Sequence, residues 1–167
     1  MVFDWLWKKS PSAPQKDEEK AKKYFSDGGK YYSESRYRDA ISCYDKSINF
    51  DPEFSKAWFA KACAHESLKQ YNDALMSVEK ALVINPDYEI AWITKGTILE
   101  KINKYEDAII CYDQAIAINS NNENSWINKG DALRKLCKNK EAIECLDKAI
   151  QLNPHKGLAK AIKELIK

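Results

Sequence analysis

Ala57-Trp58-Phe59-Ala60-Lys61-Ala62, Ala91-Trp92-Ile93-Thr94-Lys95-Gly96 and Ser125-Trp126-Ile127-Asn128-Lys129-Gly130 are one pattern written three times, 34 residues apart. The alanines Ala40, Ala74, Ala108 and Ala142 keep the same interval. A fixed period of this size marks one supersecondary unit copied along the chain, each copy stacked on its neighbours. A stack of such units is a surface for holding something, so the pattern points to a binding module rather than an enzyme.

In 34-residue frames the units run 21–54, 55–88, 89–122 and 123–156, with 1–20 ahead of them and 157–167 behind. Position 4 reads Tyr24, Trp58, Trp92, Trp126, position 8 reads Gly28, Ala62, Gly96, Gly130, and position 11 reads Tyr31, His65, Leu99, Leu133. At about 100° per residue, positions 4, 7, 8 and 11 share one helical face. The small residue at 8 admits a neighbouring element, and the aromatic at 4 fills the space beside it. Alanine at 20 plays the matching part on a second helix. We expect the first helix of each frame at positions 1–14 and the second at 17–30. Asp51-Pro52, Asn85-Pro86 and Asn153-Pro154 end second helices, since proline disfavours helical geometry in the residue before it. The third frame has Ser120 in that place, which predicts a looser junction between the third and fourth units.

The pattern closely resembles the tetratricopeptide repeat family, in which an aromatic, a small residue, alanine and proline recur at these positions. The frames cover about four fifths of the chain. Two departures stand out: the family's leucine at position 7 is Asp27, Lys61, Lys95 and Lys129, and the third proline is absent. The resemblance implies an all-α fold, a right-handed α-solenoid of antiparallel helix pairs, with a concave wall built by the first helices. The lysines at position 7 fall at the edge of the packing stripe, stem covered and ammonium in water.

Composition narrows the function. The chain has 27 basic and 25 acidic residues, a net charge of +2. Its most positive part, 123–167, holds ten basic and six acidic residues, a poor footprint for nucleic acid. No run alternates at period two, so no sheet is expected. Cys43, Cys63, Cys111, Cys137 and Cys145 make an odd count without a C-x2-C pair. That argues against a metal site and for free thiols in the cytoplasm. His65 takes a packing slot and His155 follows a helix-ending proline. No phosphate-cradling, dinucleotide or zinc-protease motif occurs. Neither catalysis nor a cofactor is expected.

Both ends differ from the middle. Met1 to Lys9 carries Phe3, Trp5, Leu6 and Trp7 and is followed by a Ser/Pro linker. The apolar part is too short to span a bilayer, and its lysines follow the apolar run rather than precede it. Three fates are open to this segment. It is disordered, as termini usually are. It docks on the repeats of its own chain or another, giving self-association. Or it makes weak contact with a membrane surface. At the other end, Leu158, Ile162, Leu165 and Ile166 share a face that fits a capping helix over the last repeat.

Positions 2, 5, 9 and 12 lie opposite the packing stripe. Position 5 reads Phe25, Phe59, Ile93 and Ile127, an apolar strip edged by Gly29, Tyr32, Cys63, Glu66, Ile90, Thr97, Glu100, Asn124, Asp131 and Arg134. The strip is either covered by the neighbouring repeat or is the floor of a groove for an apolar peptide or helix. The second reading is favoured because the array's concave side needs an occupant. Gly29, inside a helix, leaves room beside Phe25.

Some members of the family grip acidic chaperone tails with basic and asparagine residues. On the first three repeats those slots are Phe25, Gly29, Ala60, Ile90 and Thr94; on the last three, Phe59, Cys63, Thr94, Asn124 and Asn128. None is lysine or arginine, so an acidic chaperone C-terminus finds no counter-ion. The sequence therefore reads as a non-catalytic adaptor or assembly scaffold whose protein or peptide partner brings apolar anchors. A peripheral membrane adaptor tethered by the N-terminal segment is the alternative.

Overall fold

The computed structural model describes residues 17–155 and 157–166. In this range the chain forms α1 (Glu18–Ser33), α2 (Tyr37–Phe50), α3 (Ser55–Ser67), α4 (Tyr71–Ile84), α5 (Glu89–Lys101), α6 (Tyr105–Ile118), α7 (Glu123–Lys135), α8 (Asn139–Leu152) and α9 (Gly157–Glu164). No strand occurs among the described residues. Asp17 caps α1, its carboxylate accepting from the Lys20 amide at 3.1 Å, with Glu18 and Glu19 in the electropositive first turn.

Each odd helix packs on the even helices before and after it, and also on the next odd helix along the row. Among the described residues, even helices pack only on odd ones. The odd helices are therefore the closer set, and the stack curves with their row inside. This α-solenoid geometry makes the odd helices the concave wall.

Side-chain volume sets how the pairs close. Position 8 meets position 24 of the same frame: a Cβ on Gly28 would lie 2.5 Å from Tyr44 Cε1, and one on Gly96 equally close to Tyr112 Cε1. Where position 8 is Ala62, its partner in the core is the smaller Val78. The tryptophans are half-buried rather than sealed. Each indole N–H donates to the carbonyl six residues back: Trp58 to Pro52 (2.9 Å), Trp92 to Pro86 (2.8 Å), Trp126 to Ser120 (2.9 Å).

The lysines at position 7 do more than edge the stripe. Lys61 reaches Asp45 (2.6 Å), Lys95 Glu79 (2.9 Å), Lys129 Asp113 (2.6 Å) and Lys163 Asp147 (2.5 Å). Every pair spans 16 residues and ties an odd helix to the preceding even one. At a wet surface each contributes about 0.2–1 kcal/mol, so the ladder sets register more than stability.

The backbone at the Ser120 junction follows the same path as at the proline junctions. Asn119 holds the same extended geometry (φ −142°, ψ 90°) as Asn85 at the proline junction (φ −133°, ψ 91°). Its side chain accepts from the Asn121 amide (3.1 Å) and donates to Glu89 (3.0 Å). At the first proline junction the Asp51 carboxylate accepts from the Glu53 amide in the same way (3.2 Å), so the side chain ahead of the turn makes this bond with or without a proline ring.

Helix α9 continues the repeat register. Ala159 is buried in the slot held by Ala57, Ala91 and Ser125, and Lys163 completes the ladder. Lys160 and Glu164, both exposed, stand where a further second helix would otherwise pack. Ile162 and Ile166 cover the last repeat as expected. Leu158 and Leu165 do not: they are 53% and 68% exposed, one line of the helix away from Ala159.

Candidate functional site

The concave wall carries an aromatic hollow at its N-terminal half. The ring of Phe25 lies 5.1 Å from that of Phe54 and 5.9 Å from that of Tyr44. Phe59 repeats the arrangement with Tyr88 at 5.0 Å. Position 5 of a first helix thus meets the last residue of its own frame, just before the next first helix begins. Phe25, Tyr32, Tyr44, Lys56, Phe59, Ala60, Cys63 and Tyr88 together line an open cavity of about 310 Å³. Tyr32 is held at the far side by its hydroxyl, 3.2 Å from Ser67 Oγ, and by an edge contact with Tyr37.

Phe25, Tyr32, Phe59 and Cys63 were expected on this wall, and the structure brings them together. Gly29 lies between Phe25 and Tyr32 on the same face of α1, and a Cβ built there meets nothing within 4 Å. The space beside Phe25 is open. Tyr44, Lys56, Ala60 and Tyr88 also line the cavity and were missed. Phe54 and Tyr88 share the last position of their frames, a signal legible at the 34-residue period but easily passed over as loop.

Toward the C-terminus the wall changes character. Ile90 is 55% exposed at the head of α5, whereas Ile93 packs into the core around Leu99 and Tyr112. Ile127 is only 2% exposed. It clusters with Leu146 and Ala149 of α8 and Ala159 of α9. The expected four-residue apolar strip therefore ends before its fourth member, because α9 occupies the place of a further first helix and roofs it. Thr97 donates back to the Thr94 carbonyl (2.9 Å), and the Asn124 amide donates to the Asn122 side chain (3.0 Å). Glu66 pairs with Lys101 across α3 and α5, and Asp131 pairs with Arg134 at 2.8 Å. Glu100 accepts from the buried Tyr112 hydroxyl at 2.9 Å. This half is polar, and Lys101 and Arg134 are engaged in ion pairs.

Burial governs the titrating groups on this wall. Burial pushes the Cys63 thiol up to about 12, with Glu66 adding to the shift, so this sulfur is not an activated nucleophile. Burial likewise raises Glu100, against the hydrogen bond from Tyr112 that lowers it. His65 Nδ1 is engaged by Gln70 at 2.8 Å. Among the described residues no cluster of three His, Cys, Asp or Glu could hold a metal, and no helix is long and apolar enough to cross a membrane. Phe3, Trp5, Leu6 and Trp7 lie outside the described residues.

A tetratricopeptide repeat profile matches residues 90–122 and 124–156, and a second profile of the same description matches 43–76. The chain belongs to the tetratricopeptide repeat family. Three solved tetratricopeptide-like arrays illustrate the fold. MamA protein is 24% identical with a TM-score of 0.78, over 89% of this chain and 85% of that one. The first TPR of Spaghetti (RPAP3), bound to an HSP90 peptide, is 25% identical with a TM-score of 0.72, over 75% and 99%. The Arabidopsis OM64 TPR domain is 22% identical with a TM-score of 0.66, over 69% and 95%. No curated protein sequence matches the chain. A tetratricopeptide array is a protein-interaction fold, generally without catalysis, and its right-handed solenoid gives this chain its concave wall.

Proposed function

We propose that this protein is a non-catalytic adaptor or assembly scaffold of the cytoplasm that holds an apolar protein segment in the groove of its first repeats. The observation that carries the reading is the aromatic cavity between Phe25 and Phe59, open to the concave side and walled by five rings. A cavity of about 310 Å³ accepts one or two large apolar side chains. An acidic tail of the kind held by the RPAP3 repeat is a poor fit. The first-repeat slots that would meet its carboxylates are Phe25, Gly29 and Ala60. Five unpaired cysteines suit a reducing compartment.

Selection of peptides from a displayed library on the full chain tests the reading. Recovered peptides should carry aromatic or aliphatic anchors. Gly29→Leu, which puts a side chain into the open space where a Cβ meets nothing within 4 Å, should weaken them about tenfold to a hundredfold, as loss of one buried anchor does. Phe59→Glu should abolish them. Recovery of acidic C-terminal peptides, or indifference to both substitutions, would overturn it.

A further inference from the structure

Resting on that reading of the cavity, we infer that its resident occupant is the chain's own N-terminal segment, with one or two of the rings of Phe3, Trp5 and Trp7 seated among Phe25, Phe59 and Tyr88. Three observations converge on this. The first is position. The Asp17 amide donates to the Phe50 carbonyl at 3.2 Å, so the chain enters the array at the head of α1, the end of the first helices that also carries Phe54, Lys56 and Tyr88. Phe25 follows eight residues later, about 12 Å along the axis. The neighbouring first helix stands about 10 Å to the side. Residues 10–16 span up to about 24 Å when extended. The tether is long enough to reach the cavity and too short to range far from it.

The second is chemistry. Phe3, Trp5 and Trp7 alternate, so in an extended segment all three point one way. The cavity offers rings, Ala60 and Cys63, with the exposed Lys56 at its edge, where a cation over an indole face adds attraction. The third is Gly29. It opens wall space beside Phe25, with nothing within 4 Å of the absent Cβ, at a cost in helix propensity of roughly 1 kcal/mol against alanine. Tethering at this length presents the rings at an effective concentration on the order of millimolar, which favours the chain's own cavity over another copy's. The consequence is self-masking: a partner must displace the segment to bind.

Cys63, on the cavity wall, is a built-in reporter in the full chain when the reactions are run at raised pH, where some of the thiolate that burial opposes is formed. With the exposed thiol removed by Cys137→Ser, Trp5→Cys should form a disulfide from the introduced thiol to Cys63 under mild oxidation, within single chains. Independently, Phe3→Ala with Trp5→Ala and Trp7→Ala should raise the alkylation rate of Cys63 at least tenfold and increase binding of an anilinonaphthalene sulfonate dye. A disulfide joining two chains, no disulfide with unchanged alkylation, or segment-dependent flotation with phosphatidylglycerol vesicles would overturn the inference. The dye separates this failure from failure of the groove itself. Equal binding to the full chain and the triple variant, abolished by Gly29→Leu, leaves the groove standing without its resident. Dye binding to neither removes both.

Discussion

A Cβ placed on Gly130 would lie 2.9 Å from Leu146 Cγ and 3.3 Å from the Ala142 carbonyl oxygen, closer than a packed interior tolerates. Two frames earlier, in the second repeat, Ala62 is accommodated because the smaller Val78 faces it. Gly130→Ala should therefore cost about 1–3 kcal/mol through overpacking. Adding Leu146→Val, which recreates the pair of the second repeat, should recover most of that loss in urea unfolding. Absence of recovery would mean that the backbone at Ala142, not the Leu146 side chain, sets the limit. Glu100 supplies the other prediction at this scale. Burial raises its folded pKa, so the folded state holds the proton more tightly than the unfolded one. Stability then falls as pH rises from the ordinary glutamate value through the raised one. Glu100→Gln keeps an acceptor for the Tyr112 hydroxyl without the charge. It should stabilise the protein at pH 7, with the gap closing as pH drops below the unfolded carboxyl's range.

The helices and their order were legible because two signals agree at the scale of an element: a 3.6-residue apolar face within each helix and a 34-residue echo between them. The second signal also exposed position 5 as a special line. What it could not show was which members of that line stay open. Phe25 and Phe59 are too large to be swallowed by the next first helix, while Ile127 sinks beneath Ala159 of a terminal helix whose placement the repeat pattern does not specify. Leu158 and Leu165 were misplaced for a related reason: on eight residues, two adjacent lines of apolar side chains look like one face. At the Ser120 junction the repeat pattern shows the missing proline but not the Asn119 side chain that bonds across the turn to Glu89 and the Asn121 amide. Since the backbone there already matches the proline junctions, Ser120→Pro should be tolerated and stabilise by about 0.4–1 kcal/mol through the unfolded chain. A loss of stability, read by urea midpoint, would show that the asparagine turn needs the Ser120 amide.

Across the whole molecule, the solenoid divides its tasks along its length. The aromatic cavity is built by α1 to α3 and by Tyr88 at the head of α5; the polar, ion-paired wall and its roof belong mainly to α5 to α9. Because each repeat leans only on its neighbours, injury at one end should stay there. Leu146 is fully buried in α8, and Leu146→Ala should cost about 2–5 kcal/mol. Amide exchange should then quicken across α7 to α9, while affinity for an aromatic peptide selected on the cavity shifts by less than about twofold. Val78→Ala removes less volume, but Val78 shares a core cluster with Phe59 and Tyr88 on the cavity wall. It should harm binding more and stability less. In a globule with one shared core, the two substitutions would rank the same way in both measurements. The inverted ranking is what a row of nearest-neighbour units requires, so binding that falls in step with stability for both variants would refute a site confined to the first repeats.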